Sequence, residues 1–89
     1  MPSIQFTSHL RKVAPTGAAS VDGETLFGAL EQIFEHYPLA RSYVLDDQDR
    51  LRKHVVIFVD GVRIQAGDDL TCPVKAESEI FVLQALSGG

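Results

Sequence analysis

The residues whose types could do chemistry are concentrated at one end of the chain, in Ser87-Gly88-Gly89, which follow an apolar run closing at Leu86. Glycine has no Cβ, so two in succession pass a channel too narrow for any other residue and take backbone angles closed to the rest. A strand that empties into such a pair reads as an arm made for insertion, with the Gly89 carboxylate as the reacting group. The same ending also fits a glycine-rich fray without chemistry, since at roughly 7% glycine usage a terminal pair arises by chance in about one chain in two hundred. Other candidates point elsewhere. Cys72 is the only cysteine, so it lacks a partner for an internal disulfide and a second sulfur for a structural zinc site. It reads as packing against Leu70 and Val74. His9, His36 and His54 are far apart on different elements and read as surface or strand residues. Asp46, Asp47 and Asp49 lack the spacing, turn glycine and closing glutamate of a calcium loop. They read as a solvated turn, and no metal is expected.

The elements that would position the arm follow from periodicity. Ile4, Phe6, Ser8 and Leu10 alternate with Gln5, Thr7, His9 and Arg11, the period of a half-buried strand. Pro15-Thr16-Gly17 breaks the chain, and residues 18–21 return antiparallel. After the Asp22-Gly23-Glu24 turn, Thr25 is placed to cap a helix with its hydroxyl. Leu26, Ala29, Leu30, Ile33, Phe34 and Tyr37 then form one helical stripe, with Glu31, Gln32, Glu35 and His36 opposite. Pro38 ends that helix, because a residue preceding proline is pushed out of helical angles. Residues 39–49 read as a connection that tucks Tyr43, Val44 and Leu45 under the domain. From His54 to Val59 the chain is apolar on both faces, and Asp60-Gly61 followed by Val62-Arg63-Ile64 is the strongest hairpin signal present. An irregular crossing over residues 70–77 leads to a last strand over residues 80–86.

Composition bounds what these elements can be. Eighty-nine residues make one domain, too short for an enclosed active site with its own lid. Hydrophobic content of 45% with 22% charged residues is that of a soluble globular chain. A net charge of −4 argues against nucleic acid, whose phosphates need clustered Lys and Arg, and favours a basic partner surface. No apolar run approaches the length of a membrane span, and the first residues lack the pattern of a signal peptide. A cytoplasmic location is expected.

With a single main helix only one face of the sheet is covered, so strands apolar on one face would suffice. The third and last strands exceed that need. If Ile80 and Val82 share the helix side with Ile4 and Phe6, Phe81 and Leu83 project from the open side, joined by either Val56 and Phe58 or their neighbours. Uncovered apolar patches of that kind bind other proteins. Two alternatives are that residues 39–45 cover the patch, or that a second copy does.

Together, the helix ending in Tyr37-Pro38, Leu51-Arg52, Val55-x-Ile57-Phe58-Val59-Asp60-Gly61, Leu70 with Pro73, and Ile80-x-Val82-Leu83 running to Gly88-Gly89 resemble the MoaD/ThiS family of ubiquitin-like sulfur carriers. The resemblance covers nearly the whole chain and is nearest to the longer members, such as the cysteine-biosynthesis carrier and the molybdopterin synthase small subunit. It implies an α+β, β-grasp (ubiquitin-like) fold, a mixed sheet of four or five strands packed on one main helix. The first and last strands would be parallel neighbours in its middle. A β-grasp domain over residues 1–86 and a flexible tail over residues 87–89 are expected. Two departures stand out: Glu77-Ser78 replaces a usual Gly-Asp pair before the last strand, and Gln84 replaces a proline usual before the tail.

The resemblance also implies a chemistry. An E1-like adenylating enzyme would consume ATP to convert Gly89 into an acyl-adenylate, and a sulfurtransferase or persulfide donor would supply sulfur to make a thiocarboxylate. A sulfur-accepting synthase would then use it, in cofactor, cysteine or related biosynthesis. The carrier binds no cofactor itself and is a cosubstrate rather than an enzyme. Gly89 is the reacting residue, Gly88 and Ser87 the tail, and Phe81, Leu83, Phe58 and Leu86 the partner contacts. Two alternatives use fewer or different steps: a protein modifier joined to lysines through the same glycine, and a β-grasp interaction module that needs only the sheet face.

Overall fold

The computed structural model describes residues 2–6 and 17–84. Strand β1 (Ser3–Phe6) and strand β2 (Ala18–Ser20) pair antiparallel, Ile4 opposite Ala19. Helix α1 (Leu26–His36) and a short helix α2 (Pro38–Val44) follow. Strands β3 (Val55–Val59), β4 (Val62–Ile64) and β5 (Glu79–Gln84) complete a five-stranded sheet in the order β2-β1-β5-β3-β4. The first and last strands are therefore parallel neighbours, with Ile4 beside Ile80 and Phe6 beside Val82, and β5 is central. A parallel pair cannot be joined by a tight turn, and here everything between β1 and β5 serves as the crossover.

Local chemistry accounts for each element. The Thr25 Oγ1 accepts the Gly28 amide at 3.1 Å, the expected N-cap. The Leu26 and Phe27 amides, which no helical carbonyl can reach, donate to the Cys72 and Leu70 carbonyls at 2.9 and 2.8 Å. The crossing after β4 thus stitches itself to the start of α1. Asp60 and Gly61 both take positive φ, 51° and 84°, which the two-residue turn between paired β3 and β4 requires.

The core lies between the sheet and α1. Ile4, Phe6, Ile80, Val82, Val55, Ile57 and Val59 reach it from the strands, and Leu26, Ala29, Leu30, Ile33 and Phe34 from the helix. At about 1.5–3 kcal/mol for each large aliphatic or aromatic side chain fully withdrawn from water, this set dominates the stability.

α2 occupies part of the stretch, residues 39–49, expected from the sequence to be a connection tucking apolar groups under the domain. α1 ends at His36, and Tyr37 leaves helical angles (φ −133°, ψ 72°) ahead of Pro38, as expected. Pro38 then opens a new helix at its first position, where its missing N–H costs nothing. Ala40 and Val44, one turn apart, enter the core. Arg41 ties the unit together by bridging Glu31 on α1 and Asp49 in the following loop. In that loop the Asp46 carboxylate accepts the Gln48 and Arg50 amides at 2.8 and 3.0 Å, so the acidic cluster is folded as a turn. Among the described residues no helix is long and apolar enough to cross a membrane.

Candidate functional site

β5 presents its side chains alternately, Ile80 and Val82 into the core and Glu79, Phe81 and Leu83 to the open face. Register then fixes the neighbours. Phe81 stands beside Gln5 on one side and opposite Phe58 on the other, Phe58 opposite Arg63, and Leu83 opposite Val56. Directly opposed residues in a sheet share a face, so Gln5, Phe81, Phe58 and Arg63 form one row across it. Phe81 is 41% exposed, which is unusual for a phenylalanine on a central strand. It shares with Leu83, Phe58, Gln5, Phe6 and Gly61 a groove of about 320 Å³. Of the two sets that the alternation of β3 leaves open, Val56 and Phe58 face outward, while Val55, Ile57 and Val59 are buried.

The residues 39–45 that were an alternative cover for this patch lie on the other side, where Ala40, Val44 and Leu45 are in the core. Among the described residues of one chain, nothing covers the patch. The tail residues Ser87, Gly88 and Gly89, with Leu86, are outside the described residues; the last described residue is Gln84, paired with Val55.

The start of β5 is held by a clamp built on Asp60 and Ser78. The Asp60 carboxylate accepts the Glu79 amide at 2.9 Å and the Ser78 hydroxyl at 2.8 Å, and the Ser78 Oγ accepts the Lys75 amide at 2.8 Å. The Asp60 amide in turn donates to the Glu79 carbonyl at 2.9 Å. The β3-β4 hairpin is thereby locked to β5, and with it the choice of which β5 residues face out. The Glu79 amide, then the Ser78 hydroxyl, hold the Asp60 carboxyl below its ordinary value.

Cys72 is half-buried against the core, and burial, then the Asp68 carboxylate, push its thiol pKa up. A protonated thiol is a poor nucleophile, so the structure gives it no catalytic character. Sequence reasoning missed Arg63 and Ser78. A two-residue turn at Asp60-Gly61 forces Val59 opposite Val62 and hence Phe58 opposite Arg63, so Arg63 was readable from the turn alone. Ser78 was not, because its partner lies 18 residues away.

This sheet order, with a helix across one face and parallel terminal strands in the middle, is the ubiquitin-like β-grasp fold. No family model matches the sequence and no curated protein aligns with it. Solved structures do match. Small archaeal modifier protein 1 from Methanosarcina acetivorans superposes with a TM-score of 0.82 at 23% identity, over 99% of this chain and 95% of that one. Mycobacterium tuberculosis CysO gives 0.83 at 17% identity, over 97% and 100% of the two chains. The Amycolatopsis orientalis BexX/CysO complex gives 0.82 at 16%, with 100% of both chains covered. At these identities the likeness is one of fold, over the whole length.

Proposed function

We propose that this chain is a ubiquitin-like sulfur carrier of the MoaD/ThiS type. The observation that carries the reading is the placement of β5: central in the sheet, with Phe81 and Leu83 outward and uncovered, and continuing in sequence to Gly88-Gly89. The likeness of fold to CysO, and to CysO in a structure with BexX, supports it.

In this mechanism the apolar face docks on an E1-like adenylating enzyme and the two glycines pass into its cleft, where any Cβ would obstruct the path. A Gly89 carboxylate oxygen attacks the α-phosphorus of ATP and pyrophosphate leaves. The acyl carbon now has a good leaving group. Sulfide attacks it, AMP departs, and a thiocarboxylate remains; a persulfide donor instead gives an acyl disulfide, whose S–S bond a thiol then cleaves to the same product. Acid, base and nucleotide binding belong to the partner, and the carrier acts as cosubstrate of the enzyme that accepts its sulfur.

A second reading, conjugation of the same activated glycine to a lysine amine, has the likeness to a modifier protein in its favour. Covalent adducts recovered from cells would separate it from the carrier.

The test is intact-mass measurement after incubation with the activating enzyme, ATP and a sulfur source. The chain should gain the mass difference between sulfur and oxygen, and alkylation should trap the sulfur at Gly89. Deleting Gly89, or Gly88→Val, should abolish the gain with the fold intact. Sulfur on Cys72, with Cys72→Ser inert and the Gly89 deletion active, would overturn the reading.

A further inference from the structure

The charges on the open face are placed so that the face complements itself. Its central row runs Gln5, Phe81, Phe58, Arg63, and Arg63 therefore stands level with Phe81 at the β4 edge. Glu79 lies one outward step along β5 from Phe81, toward the start of the strand. With strands about 4.8 Å apart and same-face residues about 6.8 Å apart along each, the Arg63 and Glu79 Cα atoms are about 12 Å from one another. Both residues are exposed, and among the described residues neither enters a salt bridge. The other charges at that end of β5 are engaged with one another. The Asp60 carboxylate is bonded to the Ser78 hydroxyl and the Glu79 amide, and Lys75 is near enough to favour its ionised form.

A cation and an anion set apart on one apolar face meet the requirement of an isologous contact, in which a two-fold axis brings residue i onto j and j onto i. An axis in the plane of contact, midway between Arg63 and Glu79, lays each of them over its opposite on a second copy. By the same sheet spacings it lays Phe81 of one copy over the gap between Phe81 and Phe58 of the other, and Leu83 near Leu83. Offset aromatic contacts of that kind are favourable. We propose that two copies of this chain associate face to face through Phe81, Phe58 and Leu83, with Arg63 of each paired to Glu79 of the other. The contact is small. Five strands of three to six residues cover roughly 350 Å², less than half of the roughly 800 Å² per partner of a stable complex, so the pair forms weakly and separates readily. It covers the residues assigned to the activating enzyme, and an associated copy is withheld from activation. That consequence rests on the sulfur-carrier reading; the association itself does not.

The experiment is sedimentation velocity on the purified chain from about 10 µM to about 1 mM, the range that a contact of this size calls for. Wild type should shift from monomer toward dimer across it, and Leu83→Asp should remain monomeric. Arg63→Glu and Glu79→Arg should each raise the dissociation constant about tenfold, because each turns two attractive pairs into like-charge pairs. The double variant Arg63→Glu/Glu79→Arg should return to the wild-type range, and a mixture of the two single variants should associate more tightly than either alone. Net charge gives the opposite result for one variant. Each chain carries −4, so Glu79→Arg lowers the mutual repulsion, as does Glu35→Arg, which is exposed on α1. Glu35→Arg should leave association unchanged or slightly tighter while Glu79→Arg weakens it. Thermal midpoints of the monomers should not move with any charge reversal. Absence of dimer at the highest concentration would overturn the proposal, as would a dimer indifferent to Leu83→Asp, tighter association of Glu79→Arg, or failure of the double variant to recover. Charge reversals that shift the thermal midpoint and leave association alone would place the Arg63 and Glu79 pairing within one chain and reject it as well. Because no activating enzyme is present, none of these outcomes depends on the sulfur-carrier reading.

Discussion

Asp60 does three things at once: it occupies the first left-handed position of a tight turn, accepts two hydrogen bonds, and through them fixes where β5 begins. Both bonds favour the ionised form, so its folded pKa is lower than the unfolded value near 3.8. A depressed carboxylate contributes stability above its unfolded pKa, and that contribution is lost as pH falls through the folded one. The thermal midpoint should therefore drop as the chain is acidified below about pH 4. Asp60→Asn should lower the midpoint at neutral pH and flatten part of that acid slope; Asp46, held down by the Arg50 and Gln48 amides, accounts for a further part. Scanning calorimetry from neutral to acid pH checks it, and an unchanged slope in Asp60→Asn would remove the clamp from the account. Of these three only the turn was legible in the sequence. Asp60-Gly61 announced a turn, because two left-handed positions are a local demand, but the hydroxyl that its carboxylate would meet is set by how β5 docks.

At the scale of elements, the two helices have different supports. α1 is held by a five-residue buried stripe, whereas α2 is about two turns anchored by Ala40, Val44 and the Arg52 guanidinium at its end. Leu30→Ala should destabilise the protein by about 2–5 kcal/mol, and Leu39→Ala, on the outer side of α2, by about 0.5 kcal/mol or less. Urea unfolding measures both, and similar losses would mean that the helix faces are misassigned. The same contrast explains what could be read beforehand. The α1 stripe repeats often enough to reveal its period, and Thr25 marks its start. In α2 two inward residues give no period, and Pro38 is a stop signal for one helix and a start position for the next. The hydrophobic face of β5 was legible for the opposite reason: alternation alone assigns Phe81 and Leu83 to one side once Ile80 and Val82 are given to the core. The proposed Gly88-Gly89 chemistry rests on residue types alone, because those residues lie outside the described ones.

For the whole molecule, one sheet face builds the core and the other carries Phe81 and Leu83 outward. Leu83→Asp should leave the thermal midpoint within a few degrees of wild type while weakening binding to the activating enzyme by about 1–4 kcal/mol, from roughly fivefold to several hundredfold. Normal binding by a folded Leu83→Asp chain, measured by titration calorimetry, would place the contact elsewhere. The central position of β5 has a mechanical consequence as well. Its two neighbours grip it along its length, β1 parallel and β3 antiparallel. A pull on the chain beyond Gln84 loads both ladders in shear, so many hydrogen bonds must yield together. An edge strand such as β4, hydrogen-bonded to one neighbour, would peel away bond by bond. A body tethered through its middle strand can be dragged out of a tight cleft by its last residues and still be folded when it comes free.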